Sequence, residues 1–212
     1  MKKVISLFSI MILVVGGLFV LTGCEAGKKE DNNTIEISKT LGKSTVTLRV
    51  PKNADGTAKY NFTDTKPEGL SKSGTFYLST DTANFAFSTS SLSYNTSKDY
   101  KAKYGETKAT FDGYLEFMDD TSISSRPKLA GIERFEINGR KALRYYNRTG
   151  GSGKYEYYGY FYMVAVDDIF PGSEFNMTVN YKVDERPTEI QEFDAETLAI
   201  INSLKITLTE SK

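Results

Sequence analysis

The chain has 212 residues, in which 27 basic side chains balance 27 acidic ones, and it contains no histidine. The length suits one domain with a real core, and the balanced charge gives no electrostatic footprint for nucleic acid. Without histidine, the usual general base, the serine–histidine and cysteine–histidine nucleophile pairs and imidazole metal ligands are all excluded.

The first residues follow the order of a secretory signal. Lys2 and Lys3 precede an uncharged, mostly apolar run from Val4 to Leu21, and the small residue Gly23 follows. This order predicts export, with the rest of the chain outside the cytoplasm. A retained transmembrane helix is the alternative, because the run just reaches the length that spans a bilayer.

Leu21, Thr22, Gly23 and Cys24 resemble the lipobox of bacterial lipoproteins. The resemblance implies that the chain is cleaved before Cys24, its only cysteine, and that the thiol receives a diacylglyceryl group. Two acyl chains hold a protein stably at a membrane, whereas one chain does not. The expected location is therefore the extracytoplasmic face of the cell membrane, with labelling by palmitate as its signature.

The chain accordingly divides into three predicted segments. Residues 1–23 form a lipoprotein signal peptide, residues 24–33 the lipidated cysteine and a flexible polar tether, and residues 34–212 a single globular domain. The tether contains charged residues and no apolar periodicity, which is typical of a flexible linker.

Alternating β-branched residues predict strands in the first part of the domain. Thr34–Leu41 and Ser44–Val50 are expected to pair around Gly42 and Lys43. Further strands are predicted over Lys59–Asp64, Gly74–Ser79 and Asn84–Ser90.

Two helices are predicted from their spacing, after a helical turn or two over Ser97–Gly105. The first covers Thr110–Asp120, with Thr110 as its cap and a buried face of Phe111, Tyr114, Leu115 and Met118. The second begins at Pro187 and Thr188, with Gln191 completing a capping box. Its predicted buried stripe is Ile190, Phe193, Thr197, Ile201 and Leu204.

Asn138 and Gly139 separate the strands Ile132–Ile137 and Arg140–Asn147, and this pair is typical of a type I′ hairpin turn. A two-residue turn fixes the pairing of the two strands. The register places two opposite-charge pairs across the hairpin, which supports it: Glu136 with Lys141, and Glu133 with Arg144.

Lys154–Val166 is predicted to be the longest strand, and both of its faces are largely apolar or aromatic. Such a strand is expected at the centre of a sheet, covered on both sides. Tyr158, Tyr160 and Tyr162 share one face, with Tyr146 on the preceding strand. They are interpreted as core, with an aromatic binding surface as the alternative. Pro171 and Gly172 then predict a type II turn into an alternating strand, Ser173–Val183.

No cofactor or metal site is predicted. Asp119-Asp120 and Asp167-Asp168 are acidic doublets at the ends of regular elements, where such residues are normally solvated. The segment from Asn53 to Gly56 has the composition of a calcium loop. However, Pro51 and Phe62 occupy positions one and twelve of such a loop, and neither can ligate through a side-chain oxygen.

The order of elements predicts an α+β domain: an antiparallel β-sheet with helices packed on its faces, as in an α/β/α sandwich. Over roughly residues 44–206 the chain resembles the Mog1/PsbP-like fold, through an early series of strands, the helix at Thr110–Leu115, the hairpin at Asn138–Arg140 and the closing segment Ile201–Ile206. Members of that fold are non-catalytic accessory or binding proteins, including photosystem II extrinsic subunits and bacterial lipoproteins.

The expected function is that of a membrane-anchored, extracytoplasmic lipoprotein acting as a non-catalytic binding or accessory module of the cell envelope. Besides the membrane, its expected partner is another envelope protein or a small ligand, and not nucleic acid. The alternative is a carboxylate-dependent hydrolase acting on an envelope or extracellular substrate. The lack of histidine and of any catalytic spacing favours the binding module.

Overall fold

A computed structural model describes residues 32–70, 72–92, 110–120, 122, 131–150, 156–182 and 192–209. Asn33–Lys212 forms one compact unit. The predicted signal peptide, residues 24–31 of the tether and the helical turn predicted over Ser97–Gly105 lie outside the described residues.

The smaller of two sheets joins the N-terminal hairpin to the last strand of the chain. It contains β1 (Thr34–Leu41), β2 (Ser44–Pro51) and β9 (Lys205–Leu208), in the order β1-β2-β9. Both pairings are antiparallel. Gly42 has a φ of 59° in the turn between β1 and β2, which confirms the predicted hairpin.

The larger sheet has six strands in the order β3-β4-β8-β7-β6-β5, and each adjacent pair is antiparallel. Its strands are β3 (Phe76–Ser79), β4 (Ala83–Ser91), β5 (Glu133–Ile137), β6 (Arg140–Gly150), β7 (Glu156–Ala165) and β8 (Ser173–Tyr181). The prediction of a strand over Lys59–Asp64 is wrong, because Thr63 forms only an isolated bridge to Tyr77.

The hairpin of β5 and β6 has the predicted register, with Asn138 and Gly139 at φ values of 47° and 77°. One of its two predicted charge pairs forms. Arg144 lies 2.8 Å from a carboxylate oxygen of Glu133. Lys141 instead donates to the carboxylate of Asp112 at 2.7 Å, because a helix lies over that face of the sheet.

Two helices complete the described fold: α1 (Phe111–Asp119) and α2 (Ala195–Asn202). Thr110 caps α1 as predicted, accepting a hydrogen bond from the backbone N–H of Gly113. The predicted face of α1 is correct except that Phe117 is buried and Leu115 is only half-buried.

The predicted start of the second helix is wrong. Residues 192–194 are not helical, and Asp194 caps α2 by accepting from the backbone N–H of Thr197 at 2.9 Å. Pro187, Thr188 and Gln191, on which the prediction was based, lie outside the described residues. Asp194 accepts from a backbone N–H group in the first turn of α2 that would otherwise lack a partner. The predicted capping box would have had the same role nearer the N-terminus.

The main core fills the space between the two sheets. Buried side chains of the small sheet pack with those of the large sheet and of α2. They include Val46, Leu48, Val50, Phe85, Phe87, Phe175, Met177, Ile200 and Ile201. On the opposite face of the large sheet, α1 packs Phe111 and Phe117 against Leu143, Phe161 and Met163.

The predicted α/β/α sandwich of Mog1/PsbP-like type is therefore wrong. The fold is mostly β, since 50% of the described residues lie in strands against 13% in helices, and a second sheet lies where a helical layer was expected. Burial alternates along β2 in the way typical of a strand with one covered face. That alternation does not distinguish a strand within the main sheet from a strand of another sheet packed upon it.

Candidate functional site

The residues of the predicted lipid attachment, Leu21, Thr22, Gly23 and Cys24, lie outside the described residues. Lipidation of Cys24 therefore stays a prediction from the sequence. Among the residues that the structure describes, no helix has the length and apolar character needed to cross a bilayer.

The four tyrosines of the predicted aromatic surface lie on the face of the large sheet that packs towards the main core. Tyr158, Tyr160 and Tyr162 are only 3%, 4% and 1% exposed, and Tyr146 is half-buried. Tyr146 pairs with Tyr160 across β6 and β7, and their rings meet edge to face with centroids 5.5 Å apart. Burial at this level makes three of the four rings part of the packed interior.

Arg144 lies beside these rings and is held by two carboxylates. Its Nη1 and Nη2 atoms donate to the two carboxylate oxygens of Glu192 at 3.0 and 2.9 Å. Its Nε atom donates to Glu133 at 2.9 Å, and the guanidinium carbon lies 4.6 Å from the centre of the Tyr160 ring. A two-point contact of this kind fixes both the position and the orientation of the guanidinium.

A pocket of about 410 Å³ opens beside Arg144. Its lining combines three apolar side chains, Phe135, Leu198 and Ile201, with the charged Glu133, Arg144 and Glu192. The volume falls within the range of small-molecule sites, which are mostly apolar with a few well-placed polar groups. We call this the Arg144 pocket.

Burial and hydrogen bonding shift the pKa values of Arg144 and of the neighbouring Tyr160 and Tyr162. Burial opposes the charge of Arg144, but hydrogen bonds with Glu192 and Glu133 outweigh it and raise the pKa of the guanidinium. Burial raises the pKa of Tyr160 and of Tyr162 to about 12. Both phenols therefore remain neutral at physiological pH, and the hydroxyl of Tyr160 donates to Glu192 at 3.3 Å.

Residues of both acidic doublets form contacts within the fold. The guanidinium of Arg134 donates to both oxygens of Asp119, and that of Arg140 to both oxygens of Asp168. Asp167 accepts from the first backbone N–H of α1 at 2.9 Å, which satisfies an otherwise free helix donor. Within the described part of the chain, no three acidic or cysteine side chains are grouped closely enough to hold a metal ion.

Comparisons with protein-family models, with curated proteins and with solved structures find no match for this chain. The geometry of the Arg144 pocket is therefore the structural basis for assigning a function. The sequence identified Arg144 only as the strand partner of Glu133. It contained no signal for Glu192, which lies 48 residues further along the chain, in a segment assigned to a helix.

Proposed function

We propose that this protein is a lipid-anchored binding protein of the bacterial cell envelope, and that the Arg144 pocket takes a small ligand. The sequence from Leu21 to Cys24, after a basic start and an apolar run, supports the anchor. The fixed guanidinium of Arg144 beside an apolar wall supports the ligand site. Its side chain is 16% exposed, so its orientation is set before any ligand arrives.

The charges of the pocket favour one kind of ligand. The side chains of Glu133 and Glu192 remain 57% and 54% exposed. Their two negative charges exceed the single positive charge of Arg144. Three of the five N–H groups of Arg144 already donate to these carboxylates, so few remain for an anion. The pocket therefore suits a small ligand with hydrogen-bond donors and an apolar part.

Metabolic labelling with a palmitate analogue tests the anchor. The wild-type chain is expected to carry the label and to sediment with membranes, whereas Cys24→Ala loses the label. Label retained on Cys24→Ala, with unchanged partitioning, would contradict a lipid anchor at this residue.

A library of small molecules, screened by ligand-observed NMR on the full chain in detergent, tests the pocket. Leu198→Trp is expected to fill the pocket and abolish the hits, because Leu198 lies in its wall. Leu208→Trp is the matched control, since Leu208 is 61% exposed on β9. Small molecules that still bind the Leu198→Trp variant would show that their binding site lies outside the pocket. Turnover in a parallel hydrolase panel would favour the carboxylate-dependent hydrolase instead.

A further inference from the structure

The outward face of β8 is polar and yet buried. Glu174, Asn176, Thr178 and Asn180 alternate along this strand with the apolar residues of the main core, and they are 7%, 6%, 3% and 0% exposed. β8 is an internal strand, with β4 on one side and β7 on the other. Buried polar side chains normally have hydrogen-bond partners, so each one in such a row needs an explanation.

One serine joins the carboxylate and the amide at the start of this row. The hydroxyl of Ser90 donates to Oε1 of Glu174 at 3.0 Å and accepts from Nδ2 of Asn176 at 2.6 Å. The other oxygen of each side chain, Oε2 of Glu174 and Oδ1 of Asn176, is buried with no hydrogen-bond partner in the described structure. Two acceptor atoms on either side of one hydroxyl are thus left unsatisfied, and an unmade hydrogen bond in the interior is costly.

The electrostatics around Glu174 favour a positive ligand. Burial raises the pKa of Glu174 to about 7, although the hydrogen bond from Ser90 and the charge of Lys72 act in the opposite direction. Lys72 is the cation that faces Glu174, but its ammonium lies over the ring of Phe161 on β7, 3.8 Å from the ring centre. In the described part of the chain, Lys72 forms no ion pair with Glu174, so the carboxylate charge is only partly compensated.

We propose that Glu174 and Asn176 form a binding site for an alkylammonium group, on the opposite face of the large sheet from the Arg144 pocket. The ligand would donate N–H groups to Oε2 of Glu174 and to Oδ1 of Asn176. Both acceptor oxygens are buried, and the ligand would approach them from the side of Ser90, which is exposed at the end of β4. A primary ammonium supplies three donors around one positive charge, which matches these acceptors.

A divalent metal ion fits this site less well. Calcium takes six to eight oxygen ligands and magnesium requires near-ideal octahedral geometry. Glu174 is the one carboxylate in the buried row, and the remaining groups are neutral. The ammonium can come from a free amine or from a lysine side chain of another protein, and the chemistry of the contact is the same.

Isothermal titration calorimetry on the full chain in detergent, at about pH 8 where Glu174 is ionised, tests the proposal. n-Butylammonium is expected to bind the wild type. Binding should weaken by about tenfold or more in Glu174→Gln, because the variant keeps the shape but loses the charge. Glu36→Gln is the control, since Glu36 is an exposed carboxylate on the small sheet.

Two further arms separate the proposed contact from its rivals. Butyltrimethylammonium has the charge but no N–H donor, and it should not bind. Lys72→Ala removes a like charge near the site and should strengthen binding of n-butylammonium. The affinity of N-acetyl-lysine methylamide is compared with that of n-butylammonium. Tighter binding of the lysine derivative indicates a lysine side chain as the source of the ammonium, and tighter binding of n-butylammonium indicates a free amine.

Three results would overturn the proposal. The first is an absence of heat from n-butylammonium in the millimolar range, as expected if water alone satisfies the two oxygens. The second is equal binding of the quaternary ion, and the third is unchanged affinity in Glu174→Gln. Circular dichroism checks that each variant is folded, and Lys72→Ala provides an independent test because Lys72 is exposed.

Discussion

Gly159 of β7 lies so close to Val179 of β8 that no side chain fits between the two strands. A methyl group built on Gly159 would lie 1.9 Å from the carbonyl oxygen of Val179 and 2.8 Å from the Cα of Asn180. Both contacts are with backbone atoms, so the clash cannot be relieved by rotating a side chain. β7 and β8 would have to separate near the centre of the large sheet.

Gly159→Ala is therefore expected to lower the free energy of unfolding by about 3 kcal/mol or more, in the range of severe core changes. Urea denaturation measures the effect. Gly56→Ala is the control, because Gly56 has a φ of 84° but nothing within 4 Å of an added methyl group. That variant should lose only about 1–2 kcal/mol, through backbone strain. Equal losses in the two variants would contradict a steric clash at Gly159.

Tyr160→Ala should destabilise the protein strongly, because its ring is 4% exposed and contacts the rings of Tyr146 and Phe193. Large-to-small changes at buried aromatic residues cost about 3–5 kcal/mol. Tyr146→Ala, at a half-buried position, should cost less. Thermal unfolding of both variants checks the order. A Tyr160→Ala variant as stable as the wild type would mean that this face of the sheet is open rather than packed.

Asp194→Ala should destabilise α2 by about 1 kcal/mol, the usual contribution of an N-cap. The carboxylate of Asp194 accepts from the backbone N–H of Thr197 at 2.9 Å and also binds its hydroxyl. Asp194→Asn keeps a capping oxygen and should retain most of the stability. Urea denaturation of the pair distinguishes the cap from the charge, since an equal loss in both variants would assign the effect to charge.

A double-mutant cycle on Arg144 and Glu192 should show coupling of about 1 kcal/mol or more. Hydrogen bonds that involve charged groups contribute more than neutral ones, but the 54% exposure of Glu192 reduces the gain through solvent screening. Arg144→Met and Glu192→Gln, separately and together, provide the cycle in urea denaturation. Additive losses would show that the contact is geometrically present but energetically neutral.

Glu174 predicts a pH dependence of stability with a definite sign. Its pKa is raised from 4.5 to about 7 in the folded protein, so the folded state holds the proton where the unfolded state releases it. The free energy of unfolding therefore falls as the pH rises from about 4.5 to about 7, by roughly 3 kcal/mol, and this contribution is constant above that range.

Urea denaturation of wild type and Glu174→Gln at about pH 5 and pH 8 isolates this contribution. The variant should be the more stable protein at the higher pH, because it has no buried charge. The difference between the two proteins should be small at the lower pH. A difference that does not change with pH would show that Glu174 titrates normally.

The features that the sequence predicted correctly depend on neighbours along the chain. Asn138 and Gly139 determine the β5–β6 turn and hence its register, and Thr110 caps α1 through an N–H group three residues away. The type II turn at Pro171 and Gly172 is confirmed by the φ of 72° at Gly172. In each case, the interactions that determine the structure join residues only a few positions apart in the sequence.

The features that the sequence did not predict depend on which surfaces meet. Periodicity of two shows that Glu174 and Asn176 share a face of β8, but it does not show that this face is covered. A polar face on a strand is normally exposed, so the buried row had no distinguishing signal. Likewise, the contact of Arg144 with Glu192 requires the packing of α2 beside β6, which no local pattern encodes.

Pairing of β9 with β2 has a consequence for the growing chain. Thr45 and Thr209 exchange a hydroxyl contact across this pairing, although 164 positions separate them in sequence. The first hairpin can close as soon as residues 34–51 are present, but the second edge of β2 stays open until residues 205–208 are in place. A truncated chain would display that edge as a template for aggregation. An open β2 edge is thus a structural sign of a chain that lacks β9.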